Sequence, residues 1–249
     1  MKLLVAAKRV PHRDSKIRVN AQGTDIVREG LEHELNPFDQ IAVEEALRIR
    51  EQRGGEVLVV AVGPEAYKDA LRFALAMGAD RGLLVRTDGY VDADMVARVF
   101  ASVAAAERPD LILLGKQAPD DDANQVGQLL AGYLRAPQAT FASKIVLDED
   151  GSHATVTREV DGGLEMKRVA LPAVVTADLR LNEPRYLAYA AIKKAMKIQV
   201  EERPLESFGP PQPRVRVLRL ASPAERSRGV VLGSVEELAK KLGELARAE

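Results

Sequence analysis

The sequence predicts an α/β fold: a parallel sheet with helices on both faces, extended by an antiparallel hairpin and followed by an extended C-terminal arm. Three observations carry this. Up to about residue 145, short β-rich apolar runs alternate with longer segments of helical period, the pattern of βαβ units. The runs themselves, Leu3–Ala7, Val57–Val62, Gly82–Val85 and Leu111–Leu114, are hydrophobic almost without interruption, as strands covered on both faces are. Beyond Pro137 the pattern changes, and Asp161-Gly162-Gly163 separates two strand-like segments.

The first helix follows Asn36. Asn36 serves as N-cap, Pro37 occupies the first helical position, Asp39 lies in the first turn, and Gly54-Gly55 ends the run. Phe38, Ile41, Ala42, Ala46 and Ile49 fall on one stripe, while Glu44, Glu45, Arg48 and Glu51 are expected to face elsewhere. Two further helices are expected at about 65–77, with Leu71, Ala74 and Leu75 inward, and at about 92–107, with Met95, Val99 and Val103 inward. A fourth starts near Asn124 and is expected to bury Val126, Leu129, Leu130 and Tyr133. His153–Val160 and Leu164–Val169 form the hairpin, its turn supplied by residues tolerant of positive φ. Leu171–Ala177 reads as a buried strand with Pro172 at its start, where a missing N–H is tolerated.

From Asn182 on, Pro184, Pro204 and Pro210-Pro211-Gln212-Pro213 break the chain and few apolar residues are periodic, so the tail builds no core of its own. Its last stretch opens with a capping-box start at Ser234 and sets Leu238, Leu242 and Leu245 at helical spacing. A short amphipathic helix needs another surface for its stripe, this chain's own or, the favoured reading, a partner's. The expected division is residues 1–183 as the α/β domain and 184–249 as a docking loop and arm.

Composition narrows the chemistry. With 249 residues, 46% hydrophobic and 29% charged, the chain is long and apolar enough for a packed core. Lys and Arg number 36 against 37 Asp and Glu, a formal net charge of -1, which gives no broad electrostatic drive toward nucleic acid. Cysteine is absent, so disulfides, thiolate nucleophiles, iron–sulfur ligation and zinc ribbons are excluded. His12, His33 and His153 have no metal-ligand spacing, and no metal site is expected. No apolar run approaches the ~18 residues of a membrane span, and Met1-Lys2 leads into a short apolar run rather than a cleavable signal; a cytoplasmic location is the expectation.

In open α/β sheets ligands bind beyond the carboxyl ends of the strands. Three segments leave such ends here: Ala6–Val10, Gly63-Pro64, and the loop from Gly115 to Gln128. The last is polar, rich in Asp and amides, and runs into a helix N-terminus, whose free N–H groups attract anions; Asn124 and Gln125 add donors for a phosphate or an adenine edge. Asp120, Asp121 and Asp122 oppose a phosphate unless they turn away, cap the helix or meet ribose hydroxyls. A solvated, well-capped helix start and a magnesium site stand as alternatives. The phosphate-loop and dinucleotide glycine signatures are missing, as is a nucleophile elbow, so binding is favoured over turnover. Glu159 reads alternatively as an ordinary surface carboxylate paired across the hairpin to Lys167 or Arg168. Lys193, Lys194 and Lys197 read as a solvated helix face or a cationic recognition patch.

Leu35-Asn36-Pro37-Phe38-Asp39 with Ala42–Ala46, Ala76–Gly82, the loop 115–128, Pro137–Thr140, Arg158–Gly163 and Leu171–Tyr186 together resemble, in order over about residues 1–200, the β-subunit family of electron transfer flavoproteins. The resemblance implies a Rossmann-like, adenine-nucleotide-binding fold and a heterodimer. In it, a larger α subunit holds the redox-active FAD and the β subunit holds AMP without turnover. Electrons pass from acyl-CoA and related dehydrogenases through the flavin to a membrane quinone oxidoreductase, so the subunit is an electron-carrier component and not itself an enzyme. Carried over by position, the AMP pocket comprises Ala6, Asn36, Pro37, Phe38, Asp39, Val62, Gly115, Lys116, Gln117, Asp121, Asn124, Gln125 and Val126. Val126 stands where a threonine is often found, leaving the phosphate to backbone donors. Asp121 stands where members that hold a second FAD tend to have glycine, which favours AMP.

Phe38 matches the aromatic that approaches the flavin, and Glu159 the glutamate that pairs with an α-subunit arginine. Dehydrogenase docking falls to Tyr189, Ile192, Lys194 and Lys197, with Tyr189 in place of a usual leucine, Ala190 in place of a proline, and Met196 and Gln199 interrupting the basic stretch. The rival readings are a stand-alone adenine-nucleotide sensor, the FAD-binding subunit of an electron-bifurcating flavoprotein, and an adenylate-forming or ATP-splitting enzyme.

Overall fold

A computed structural model describes residues 1–210, 212–224 and 228–246. The chain falls into two units. The first comprises 1–17 and 28–217, the second 18–27 and 218–249. Residues 184–217, assigned from the sequence to the docking loop and arm, thus share the unit that contains the sheet.

In the first unit the elements are β1 (Lys2–Ala6), β2 (Arg9–Pro11), β3 (His33–Leu35), α1 (Pro37–Arg53), β4 (Glu56–Gly63), α2 (Lys68–Met77), β5 (Arg81–Arg86), α3 (Ala93–Glu107), β6 (Leu111–Gly115), α4 (Val126–Leu134), β7 (Gln138–Leu147), β8 (His153–Val160), β9 (Gly163–Ala170), β10 (Ala173–Ala177), α5 (Tyr189–Ala195) and β11 (Glu201–Pro204). Nine strands form one sheet in the order β11-β5-β4-β1-β6-β10-β7-β8-β9; β2 and β3 make a separate antiparallel pair. All neighbours from β11 to β7 are parallel, and β7-β8-β9 is an antiparallel meander. From β1 the chain builds outward through β4 and β5, then returns through α3 to β6 on the other side of β1, so the strand order reverses between β1 and β6.

The continuous hydrophobicity of the strands is explained by helices on both faces. Leu3, Val5, Val57 and Val59 join α1 and α2 in one core, whereas Leu4, Leu58 and Val60 join α3 and α4 in the other. α1 starts and stops as expected: the Asn36 side chain accepts from the Phe38 N–H, and Gly54 at φ 71 bonds back to the Arg50 carbonyl. Among the described residues no helix is long and apolar enough to cross a membrane.

Several expectations need correction. Glu44 does not face solvent: it is 2% exposed, and its carboxylate is held by Arg48 at 2.7 Å and Arg185 at 2.8 Å. Those cations outweigh the burial that would raise its pKa and hold it below the ordinary carboxylate value. Tyr133 is 41% exposed rather than buried, and its hydroxyl donates to Asp94 in the first turn of α3. Four strands escaped the sequence reading, among them the three-residue pair β2 and β3. β7 has its register broken by irregularities against both neighbours, which spoils the alternation. β11 carries Glu201, Glu202 and Arg203, charges suited to an edge strand but reading as loop.

At the amino end of the sheet, Glu107 accepts from Arg81 and Lys2, whose Nζ lies 2.5 Å away. Its carboxyl is thereby pulled from 4.5 to about 2. Because the folded value is depressed, the stabilisation is complete above pH 4.5 and disappears as pH falls toward about 2. Glu107→Gln is expected to cost about 1 kcal/mol at pH 7, an amount kept modest by solvent screening at the half-exposed Arg81, and to flatten the stability–pH curve across that acid window. Denaturant titrations at several pH values measure this; parallel curves for the two proteins would contradict it.

The second unit contains an isolated bridge between Val19 and Ile26, a bond from Leu220 N–H to the Gly23 carbonyl at 2.8 Å, and α6 (Val235–Leu245). Ser234 caps α6 by accepting from the Glu237 N–H, and the Glu237 carboxylate reaches Gly233. Its stripe is uncovered, with Leu238 46%, Leu242 57% and Leu245 61% exposed.

Candidate functional site

The carboxyl ends of β1, β6 and β10 meet the amino end of α1 at the point of strand-order reversal. Asn36, Pro37, Phe38 and Asp39 enter this place because the cap and first turn of α1 follow β3 directly. Asn36 is 2% exposed and donates from Nδ2 to the Gln117 carbonyl at 2.9 Å, joining the two halves of the site. Asp39, 3% exposed, accepts from the N–H groups of Lys8 and Gly115 at 2.8 Å each. Burial pushes its pKa up, against the pull of these two donors. Gly115 leaves no room for a side chain: a Cβ there would lie 2.6 Å from the Phe38 Cβ and 2.8 Å from Asp39 N.

Lys116 stands over the rings of Phe38 (5.5 Å) and Phe141 (5.1 Å) and pairs with Asp178 at 2.7 Å. Asp178 is held below its ordinary value, the lysine outweighing burial. Phe141 has φ 59, and its N–H is satisfied by the Thr176 hydroxyl at 3.1 Å. Thr176 also receives α4: a Cβ at Gly127 would fall 2.3 Å from its Cγ2, so the small residue sets how closely α4 approaches β10.

Asp120 and Asp121 both reach the Lys8 Nζ, and Asp122 accepts from Gln117 Nε2. None of the three caps α4, whose N-cap, Gln125, makes no side-chain cap bond. Asn124 at φ 49 accepts from Gln128 and begins the turn into Val126. Ala6 ends β1 and packs on the second core, and Val62 lies near the end of β4, 8% exposed. Among the described residues no group of three His, Asp or Glu is placed to hold a metal.

Glu159 pairs neither with Lys167 nor with Arg168, which face Val156 and Thr155 in the register. Its partner is Arg180, at 2.5 Å, whose N–H in turn donates to Asp178. Glu159 is therefore tied through Arg180, Asp178 and Lys116 to Phe38. Tyr189, Ile192 and Lys194 lie on α5, which packs on α2, and Lys197 follows it; Tyr189 is 71% exposed with Lys193 over its ring at 4.8 Å.

The sequence reading did not single out Lys8, Phe141, Asp178, Arg180 or Arg185. A signal existed for Asp178: β10 pairs with β6 so that Ala177 faces Gly115, which sets the next residues, Asp178 and Lys116, side by side.

An open, mainly parallel α/β sheet with converging polar groups at its switch point is the class of domain that binds nucleotides beyond its strand ends. The description "Electron transfer flavoprotein domain" matches residues 24–207. The chain is 48% identical to the electron transfer flavoprotein subunit beta of Bradyrhizobium diazoefficiens over 244 residues, 97% of each chain. It is 47% identical to the mitochondrial subunit beta of Arabidopsis thaliana, again over 97% of each. Against the human subunit beta the identity is 46% over 254 residues, covering 99% of this chain and 98% of that one. The chain belongs to the electron transfer flavoprotein family, among its β subunits.

Proposed function

We propose that this chain is the nucleotide-holding half of a heterodimeric electron carrier. It holds AMP in the crevice between the amino end of α1 and the loop 115–126, and it supports an FAD carried mainly by a larger α subunit. That flavin takes electrons from acyl-CoA or related dehydrogenases and passes them to a membrane quinone oxidoreductase. It supplies the redox chemistry, while residues of this chain bind, orient and exclude water. The observation that carries the reading is the convergence of Asn36, Phe38 and Asp39 with Gly115–Gln117 at the switch point, linked by the bonds described above. The donor set suits the ligand. The carboxylates of the loop are engaged by Lys8 and Gln117, and the α4 N-terminus keeps its N–H groups free of a side-chain cap.

Phe38, partly buried beside Lys116, is assigned to the flavin side of the crevice, and Glu159 to an α-subunit arginine. Tyr189, Ile192, Lys194 and Lys197 form the dehydrogenase-docking surface, supported by their exposure on and just past α5. Residues 184–249 serve as docking loop and arm, and the uncovered stripe of α6 supports an α-subunit surface as its cover.

Co-expression with a larger flavin-binding partner is expected to give a yellow equimolar complex that releases equimolar AMP on denaturation. A complex releasing a second FAD in place of AMP would favour the bifurcating alternative, and a colourless, stable monomer that binds adenine nucleotide would favour a sensor.

A further inference from the structure

Three adjacent carboxylates beside a phosphate site are an electrostatic contradiction unless something offsets them. Lys8, outside the set of residues assigned to the nucleotide above, is aimed to do so. Its backbone is pinned on both sides: the N–H donates to Asp39 at 2.8 Å, and the carbonyl accepts from Asn36 N–H at 2.8 Å. From that fixed point the side chain carries Nζ to 2.8 Å from Asp120 and 3.0 Å from Asp121. The other oxygen of Asp121 accepts from the Ala123 N–H at 3.3 Å, in the turn that leads into α4. Burial opposes the charge on Lys8, but the two aspartates outweigh it and hold the ammonium above its ordinary pKa, so it stays charged at neutral pH.

We propose that Lys8 is the positioning residue that makes the crevice accept a phosphate: it neutralises Asp120 and Asp121, turns them off the path of the anion, and holds the loop in register with β1. Without it, two carboxylates at the entrance of α4 oppose a dianionic phosphate, while an uncharged nucleoside is little affected. The inference rests on the nucleotide reading of this site and adds a residue that discriminates phosphate from nucleoside.

Calorimetric titration of the nucleotide-depleted complex of the chain with its larger flavin-binding partner, with AMP and with adenosine, tests it. Lys8→Met is expected to weaken AMP about tenfold while adenosine changes by less than about twofold. Lys8→Arg is expected to keep the ratio of AMP to adenosine affinity near the wild-type value, because the charge is retained. Lys8→Met combined with Asp120→Asn and Asp121→Asn is expected to bring the ratio back to within about threefold of wild type, since the unopposed charges are gone. Asp120→Asn with Asp121→Asn alone, which leaves Lys8 uncompensated, is expected to raise the ratio and provides a second measurement should Lys8→Met not fold. Equal losses of AMP and adenosine in Lys8→Met, or no recovery in the triple variant, would overturn the inference and leave the nucleotide reading intact. A wild-type complex that binds neither ligand would overturn both.

Discussion

Asp39→Ala is expected to lower the free energy of unfolding by about 4 kcal/mol, the largest effect of any single exchange at the site. The carboxylate is 3% exposed and is the acceptor for two backbone N–H groups, of Lys8 and Gly115, each at 2.8 Å. Truncation leaves both donors buried without a partner, at roughly 1–3 kcal/mol each. The effect extends beyond stability, because those bonds fix the ends of β1 and β6 against the first turn of α1. Asp39→Asn is expected to lose about half as much: its amide oxygen serves one donor, but its NH2 then meets the other. Urea titrations with nucleotide absent measure both; a loss under about 1 kcal/mol for alanine would show that water replaces the carboxylate.

Gly115→Ala is expected to cost about 3 kcal/mol and, on the proposed function, to abolish nucleotide retention. The new methyl would sit 2.6 Å from the Phe38 Cβ and 2.8 Å from both the backbone nitrogen and Oδ1 of Asp39. Two of those atoms belong to the rigid start of α1 and cannot swing aside as the tip of a long side chain does. Relief requires β6 and α1 to separate, which stretches the Gly115 N–H bond to Asp39 and moves Phe38. Gly162→Ala is the control: nothing lies within 4 Å of a Cβ there, and its cost is expected to stay below about 0.5 kcal/mol. Equal unfolding midpoints for the two variants would refute the steric account.

The helices were legible where local signals agree. Asn36, Pro37 and Gly54 bound α1 through caps that neighbouring residues decide, and the hairpin between β8 and β9 followed from Asp161-Gly162-Gly163, of which Gly163 carries the positive φ, 133. The site was legible as two segments, the amino end of α1 and the loop after β6, from their composition and from the resemblance. Their joining by Asn36 and Asp39 was not, since the two donor–acceptor pairs span 81 and 76 residues. Glu44 shows the same limit: helical spacing placed it outward, and beside the local partner Arg48 it is Arg185, 141 residues on, that completes the pairing of the buried carboxylate.

By itself the sequence determined the alternation of strands and helices, the caps, the chemistry excluded by absent cysteine, and the membership of a family. Folding decided which charges meet. Lys8 found Asp120 and Asp121, Lys116 found Asp178, and Glu159 found Arg180 rather than Lys167 or Arg168 on the next strand. The reason is physical: periodicity and capping act within a few residues, whereas these pairs depend on the register of strands and on the crossover that returns the chain to the other side of β1.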